Sequence, residues 1–430
     1  MKYKITTAAL ALLFAIVAGS AGSARMFAGD ISNDTIRQVL LRVSKHQESA
    51  LADGDYAPVK GADGLTKARA PKGIAWLYPQ GVALYGVTRA SDFLDDKSGR
   101  DFVLKHNEIV AREYAFLSKI REKIDVESEG WKAFLRDRAR CRIIGLMRLG
   151  DLDSCGAMAA QMLEMFLRQP ECVTPEQRVV VERSANWIVN RQERLPDGTF
   201  WRRNSGDDDT KVWPRGTLWI DDTYMSGAFL VRWSQYKGNK KYLDDAAQQV
   251  VNMASRLQDA NGVWFHAYNV ALRQHSPVKW GRGNGWVLVT AVEVLSVMPE
   301  NHPSRPKLLE IMRRHIEGLK SLQAENGMWR QILDDSASWE ETSCTAMFAY
   351  AIARAVNRGW ISPDNMAVAR KAFAAVCEHV TPEGGVNGTC EGTGIGLTAA
   401  FYLNRKRPNN DLHGPGAVLF AGAEILAAKQ

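Results

Sequence analysis

Leu195-Pro-Asp-Gly198-Thr-Phe-Trp201 decides the fold, because it returns. Asp259-Ala-Asn-Gly262-Val-Trp264, Ala324-Glu-Asn-Gly327-Met-Trp329 and Thr381-Pro-Glu-Gly384-Gly385 repeat the glycine turn at intervals of roughly sixty residues, slightly beyond the usual range of helical repeats. Strand signals are scarce, and apolar residues recur at i, i+3, i+4 and i+7 over long segments, the period of amphipathic helices. Each unit reads alike. A helix crowded with small residues comes first, such as Tyr224-Met-Ser-Gly-Ala-Phe-Leu-Val231. A charged, more amphipathic helix follows, such as Lys241 to Val250, and then the turn. Small residues let helices crowd around an axis, whereas charged ones face water.

Six crowded helices are expected, beginning near Tyr78, Asp153, Asp221, Gly283, Thr342 and Gly414, with partners between them such as Pro306–Leu322 and Asp364–His379. Six such hairpins form an all-α (α/α)6 toroid, with the crowded helices as its inner ring. The loops before the inner helices would then cluster at one end and build a shared cleft. Residues 25–430 read as one domain, with 25–70 as a lead-in segment and no linker that would mark a second domain.

Composition bounds the rest. Lys2 and Lys4 precede an apolar run from Ala8 to Ala18, and small residues follow at Gly19 to Ala24, so residues 1–24 read as a secretory signal peptide and the protein as exported, periplasmic or secreted. No later stretch is long enough without charge to cross a bilayer. The net charge of +7 is spread over 55 basic and 48 acidic residues without a Lys/Arg block, which argues against a nucleic-acid partner. The six cysteines form no CxxC pair and read as small buried hydrophobes, not metal ligands or a disulfide framework. There is no GxSxG, HExxH, P-loop or dinucleotide fingerprint, and no cofactor or metal is implied.

The distinctive residues fall where inner helices begin, and helix N-termini aim unpaired N–H groups at the cleft. Asp221, in Trp219-Ile-Asp-Asp-Thr-Tyr-Met225, reads as a general acid/base whose pKa burial among indoles would raise. Its neighbour Asp222 reads as a structural partner, since aspartate also caps helices well. Asp153 lies one repeat earlier and should face the same hole, as should Tyr78. Trp219, Trp280 and Trp286 offer faces for sugar rings, and Arg282, between glycines, offers a fork for a carboxylate. An acid, stacking surfaces and an anion clamp point to an enzyme on an acidic carbohydrate. His266, taken alone, is undecided.

These residues belong to a wider series of motifs: Trp76-x-Tyr-x-x-Gly-Val82, Leu152-Asp-Ser-Cys-Gly-Ala157, Trp280-Gly-Arg-Gly-Asn-Gly-Trp286, Glu341 to Tyr350, Gly388 to Thr393 and Asp411-Leu-His-Gly-Pro-Gly416. In that order, from about Trp76 onward, the chain resembles glycoside hydrolase family 105, the unsaturated rhamnogalacturonyl hydrolases, and more distantly family 88. The resemblance implies the same toroid. It also implies Asp221 as the catalytic residue with Trp219 and Met225 beside it, Asp153 as a second cleft aspartate, Tyr78, His266, Trp280 and Arg282 as substrate contacts, and Lys211 as a further cation. Asn269 departs from the family, where aspartate is common. The implied reaction removes a 4,5-unsaturated uronate from a lyase-generated oligosaccharide by hydrating its vinyl ether. Two other readings remain at this stage: an inverting glycosidase using Asp153 and Asp221 on saturated sugars, and an exported sugar-binding protein without activity.

Overall fold

A computed structural model describes residues 31–49, 73–137, 141–203 and 216–428. The expected signal segment and Lys211 lie outside the described residues. Twelve helices carry the architecture: α1 (Asn33–Ser49), α2 (Tyr78–Ala90), α3 (Ser98–Arg121), α4 (Gly156–Arg168), α5 (Pro175–Asn190), α6 (Asp221–Lys237), α7 (Lys241–Leu257), α8 (Gly281–Val297), α9 (Arg305–Lys320), α10 (Thr342–Asn357), α11 (Asn365–Cys377) and α12 (His413–Leu426). The even-numbered helices form the inner ring. Each packs against the next, and α12 closes on α2. All six start within about one turn of the expected positions, and the expected all-α (α/α)6 toroid is what the chain builds.

Burial follows the sequence pattern. The inner helices are enclosed on nearly every side; the first fourteen residues of α6 are all buried. The outer helices bury one stripe, as α7 does with Leu243, Ala246, Ala247, Val250, Met253 and Leu257. Glycine sets how closely the inner ring draws in. A side chain at Gly156 would strike the Met225 carbonyl of α6, and one at Gly416 would strike the Val82 backbone of α2.

The repeated turn has one geometry throughout. Gly198, Gly262, Gly327 and Gly384 have φ between 84° and 97°, and each donates its N–H to the carbonyl three residues earlier at 2.9–3.0 Å. The later three dock on the next outer helix: Gly262 against Arg314 of α9, Gly327 against Lys371 of α11, and Gly384 against Arg42 of α1. The last contact corrects the reading of residues 25–70 as a mere lead-in. Helix α1 is the sixth outer helix, and it packs on α12 so that the two ends of the chain complete one hairpin.

Deep in the ring lies a feature that sequence periodicity did not signal. Each inner helix contributes one charged residue, and the sign alternates around the circle: Arg89, Glu164, Arg232, Glu293, Arg354 and Glu424. Glu164 meets Arg232 at 2.7 Å, Arg232 meets Glu293 at 3.0 Å, Arg354 lies 3.8 Å from Glu293 and 2.7 Å from Glu424, and Arg89 lies 3.4 Å from Glu424. Tyr85 and Tyr350 both donate to Glu293. Burial alone would raise the Glu293 pKa, but the Arg232 and Arg354 charges and the Tyr350 hydroxyl outweigh it and bring it to about 2.

Candidate active site

The cleft is assembled by a small antiparallel sheet on the rim. Strands β1 (Thr217–Trp219), β2 (Ala267–Asn269) and β3 (Gln274–His275) pair in that order, with Trp219 opposite Ala267 and Tyr268 opposite His275. Asp221 follows β1 by two residues and His266 immediately precedes β2, so the register brings them together. The Ile220 N–H donates to the His266 carbonyl, and His266 Nε2 lies 3.1 Å from Asp221 Oδ2. Asn269 is absorbed into this sheet: it is buried, and its side chain accepts from the Leu272 N–H.

The Tyr402 hydroxyl accepts the Gly396 N–H and lies 2.7 Å from His266 Nδ1, so the ring is held at both nitrogens, by Tyr402 on one side and Asp221 on the other. Burial pushes the Asp221 pKa up, but the hydrogen bond and charge of His266, helped by Arg202, bring it below the ordinary carboxylate value. The expectation of a raised pKa is therefore not met. The physical reason is His266, delivered by strand pairing from 45 residues away.

Asp153 and Asp222 share one arginine. Arg202 grips Asp153 with NH1 and NH2, each at 3.0 Å, and Asp222 with Nε and NH2 at 2.6–3.1 Å. Its guanidinium lies 4.2 Å from the Trp219 ring centroid. Burial lifts the Asp222 pKa to about 6 and the Asp153 pKa above its ordinary value, with the Arg202 charge opposing both. Asp222 is thus a structural partner, as its sequence position suggested. Asp153 faces the cleft but is held.

Across the rim, Tyr78 opens α2 and His413 opens α12. The Tyr78 hydroxyl is 2.6 Å from His413 Nε2, and His413 Nδ1 is 2.5 Å from Asp411 Oδ1. Asp411 also accepts the His413 backbone N–H at 3.0 Å, and these bonds overcome its burial to keep its pKa low. Burial and the nearby Arg282 charge lower the His413 pKa, so the neutral ring carries its proton on Nδ1 toward Asp411. Nε2 then accepts from Tyr78, and the phenol oxygen is left as an acceptor toward the cleft. Desolvation raises the Tyr78 pKa, and Arg282, Asp153, Asp221 and Asp411 all act on it, which puts this hydroxyl among the cleft charges.

Three expected contacts sit deeper than the sequence implied. Arg282 is fully buried; it donates to the carbonyls of Cys390 and Glu391 at 2.6 and 2.7 Å and lies 3.7 Å from Glu341. Its fork is spent on holding that loop, and its charge reaches the cleft only as a field. Trp280 is buried against His266, with ring centroids 4.6 Å apart, and its N–H donates to Gln331. Met225 is core, as is Trp286, which stacks on Tyr224 at 4.6 Å. Trp219 and Tyr78 remain as the aromatic residues at the cleft. Sequence reasoning missed Arg202, Tyr402, His413 and Asp411. The last two stand inside the Asp411-Leu-His413 motif at the start of the sixth inner helix, a position equivalent to Asp221 that could have been read.

Comparison with known proteins agrees with this architecture. The model of Glycosyl Hydrolase Family 88 matches residues 60–429. The chain is 30% identical over 215 residues to the unsaturated 3S-rhamnoglycuronyl hydrolase of Alteromonas sp. (strain LOR), covering 48% of this chain and 51% of that protein, about half its length. It is 27% identical over 248 residues to the unsaturated rhamnogalacturonyl hydrolase YesR of Bacillus subtilis (strain 168), covering 57% of this chain and 70% of that one. Among solved structures, a possible member of the GH105 family from Salmonella enterica superposes with a TM-score of 0.69 at 21% identity over 99% of both chains. The unsaturated glucuronyl hydrolase of Bacillus sp. GL1 superposes at 0.60 and 12% identity, over 91% of this chain and 96% of that one. At these identities the two structures speak to the fold.

Proposed function

Because the chain belongs to Glycosyl Hydrolase Family 88, we propose that it removes a 4,5-unsaturated uronic acid from the non-reducing end of lyase-generated oligosaccharides, by hydrating the vinyl ether. The observation that carries this reading is the division of labour among the cleft aspartates. Arg202 chelates Asp153 and Asp222, whereas Asp221 meets the His266 ring through one oxygen only. A displacement at the anomeric carbon needs two carboxyl groups free to act. Hydration needs one acid, and one is what the cleft offers.

Asp221 Oδ2 is engaged by His266; among the described residues Oδ1 carries no side-chain hydrogen bond. Oδ1 is therefore the oxygen that gives a proton to C4. The substrate's own carboxylate, brought near Asp221, disfavours a second negative charge there and raises its pKa on binding. Protonation at C4 leaves an oxocarbenium ion at C5. Water adds to C5 with one hydrogen directed at Tyr78, whose own proton is committed to His413. That proton passes to the phenol oxygen as the phenol proton moves to His413 Nε2, or it returns to Asp221. The hemiketal opens, the aglycone leaves, and a 5-keto-4-deoxyuronate is released. The neutral faces of Trp219 and Tyr78 border the sugar. Both curated relatives bear rhamnose-linked substrates in their names, so unsaturated galacturonate on rhamnose is the first candidate.

A panel of unsaturated disaccharides tests this, followed by loss of the ultraviolet absorbance of the conjugated double bond. Turnover of unsaturated and not of saturated uronides is expected. Hydrolysis of saturated uronides at a comparable rate would sink the proposal.

A further inference from the structure

The rim carries a second feature that this reaction does not use. Inner helices start at the cleft end, so outer helices finish there. Between the C-terminal ends of α3 and α5 and the loop leading into α4 lies a groove of about 400 Å³, lined by Arg121, Arg148, Arg183 and Arg191 with Asn186 and Trp187. Trp187 and Arg191 also line a second hollow of about 410 Å³, which runs past Trp201 to Arg202 and Trp219. The two form one track, from four arginines to the guanidinium that grips Asp153.

The charges in the outer groove are unbalanced. Among the described residues no carboxylate lines it. Arg183 is fixed, donating to the Leu146 and Met147 carbonyls at 3.0 and 3.1 Å beside the Tyr114 ring. Arg121, Arg148 and Arg191 are exposed and make no side-chain hydrogen bond or ion pair with another described residue. Arginine at a helix C-terminus complements the dipole, which accounts for Arg121 and Arg191 in part. Arg148 likewise caps the short turn Ile144–Met147, so three of the four arginines stand at C-terminal ends that point into one groove. The Trp187 indole N–H is buried without an acceptor among the described residues. Three guanidinium groups without a partner among the described residues border one indole, and a ligand that is both anionic and ring-shaped would balance their charge while packing on the ring.

We infer that this groove binds the aglycone of a longer substrate, and within it a sugar that bears a carboxylate or a sulfate ester. Guanidinium forks suit either anion bidentately, while Trp187 packs on the ring. The inference rests on the reaction proposed above only for the direction of the chain: the unsaturated end lies at Asp221 and the rest runs outward over Trp219 and Trp201.

The test uses the Arg148→Ala/Arg191→Ala double variant. Three substrates are compared: an unsaturated disaccharide with a neutral aglycone, an unsaturated hexasaccharide bearing carboxylates, and one bearing sulfate esters. The disaccharide should keep its kcat and KM, which also shows that the variant folds. KM for at least one charged hexasaccharide should rise about tenfold or more with kcat unchanged, and its dependence on salt should weaken. The arm that responds identifies the anion. Unchanged KM values on both charged substrates would overturn the inference. If no unsaturated substrate is turned over by the wild type, the reaction reading fails instead. Calorimetric binding of saturated charged hexasaccharides to wild type and variant then tests the groove by itself, with equal affinities overturning it.

Discussion

Arg202 carries two carboxylates on one guanidinium, and the cleft depends on it more than on any residue the sequence singled out. Removing the cation leaves Asp222 buried and uncompensated, with Asp153 freed beside it. Breaking such a pair costs about 3–5 kcal/mol. Arg202→Met should therefore lower unfolding stability by about that amount in a denaturant titration, and reduce kcat/KM as Asp153 swings loose. Wild-type stability in this variant would refute the buried bridge. Tyr78 tests the other side of the cleft. Tyr78→Phe removes the acceptor for water while keeping the ring, and kcat should fall by about 10²-fold, within the range for positioned proton transfer. His413→Asn should shift the pH dependence of kcat in the same variant series, which mere loss of packing would not do. Asp221 was legible in the sequence because aromatic residues and a helix start surround it. Its lowered pKa was not, because that depends on His266, which only the β1–β2 register brings near.

Helix α3 shows what burial does to a carboxyl that no described ion pair holds. Glu113 is fully enclosed; among the described residues it accepts the Arg142 N–H on Oε1 and has no hydrogen-bond partner at Oε2. Desolvation, opposed by that bond and the Arg142 charge, lifts its pKa to about 7. A raised carboxyl pKa means that the folded state holds a proton which the unfolded chain, near 4.5, gives up. Stability then falls as pH rises from about 4.5 to 7, by up to about 3 kcal/mol. Glu113→Gln should raise Tm at pH 8 and leave it nearly unchanged at pH 4. A variant that gains equally at both pH values would contradict the assignment. The other elements divide by how local their causes are. The inner helices and glycine turns could be read from spacing, since small residues and turn glycines act on their own neighbourhood. Helix α1 could not be placed, because its partner α12 stands at the opposite end of the chain.

Closure of the toroid is a whole-molecule property, and the alternating ring of Arg89, Glu164, Arg232, Glu293, Arg354 and Glu424 spans it. No window of sequence displays that alternation, since each member stands in its own helix 61 to 75 residues from the next. Because every inner helix supplies one charge of the required sign, a wrong neighbour or a slipped register would bring like charges together. Glu293 is the hub. Its folded pKa of about 2 lies below its unfolded value, so its contribution is complete above about pH 4.5 and is lost as pH falls through 2. Glu293→Gln should destabilise by about 3–5 kcal/mol at pH 7 and by much less near pH 2.5. Unfolding curves at the two pH values check this; an equal loss at both would argue against the ring as an ionic device.

The ring, the sheet and the six helix starts together leave Asp221 as the acid, and that claim has a direct measurement. Wild type and Asp221→Asn are mixed with an unsaturated disaccharide that the wild type consumes, while loss of double-bond absorbance is followed and binding is measured by calorimetry. The account predicts a rate at least about 10³-fold lower in the variant, with Kd within a few-fold of wild type. An Asp221→Asn enzyme that consumes the double bond at the wild-type rate would contradict it.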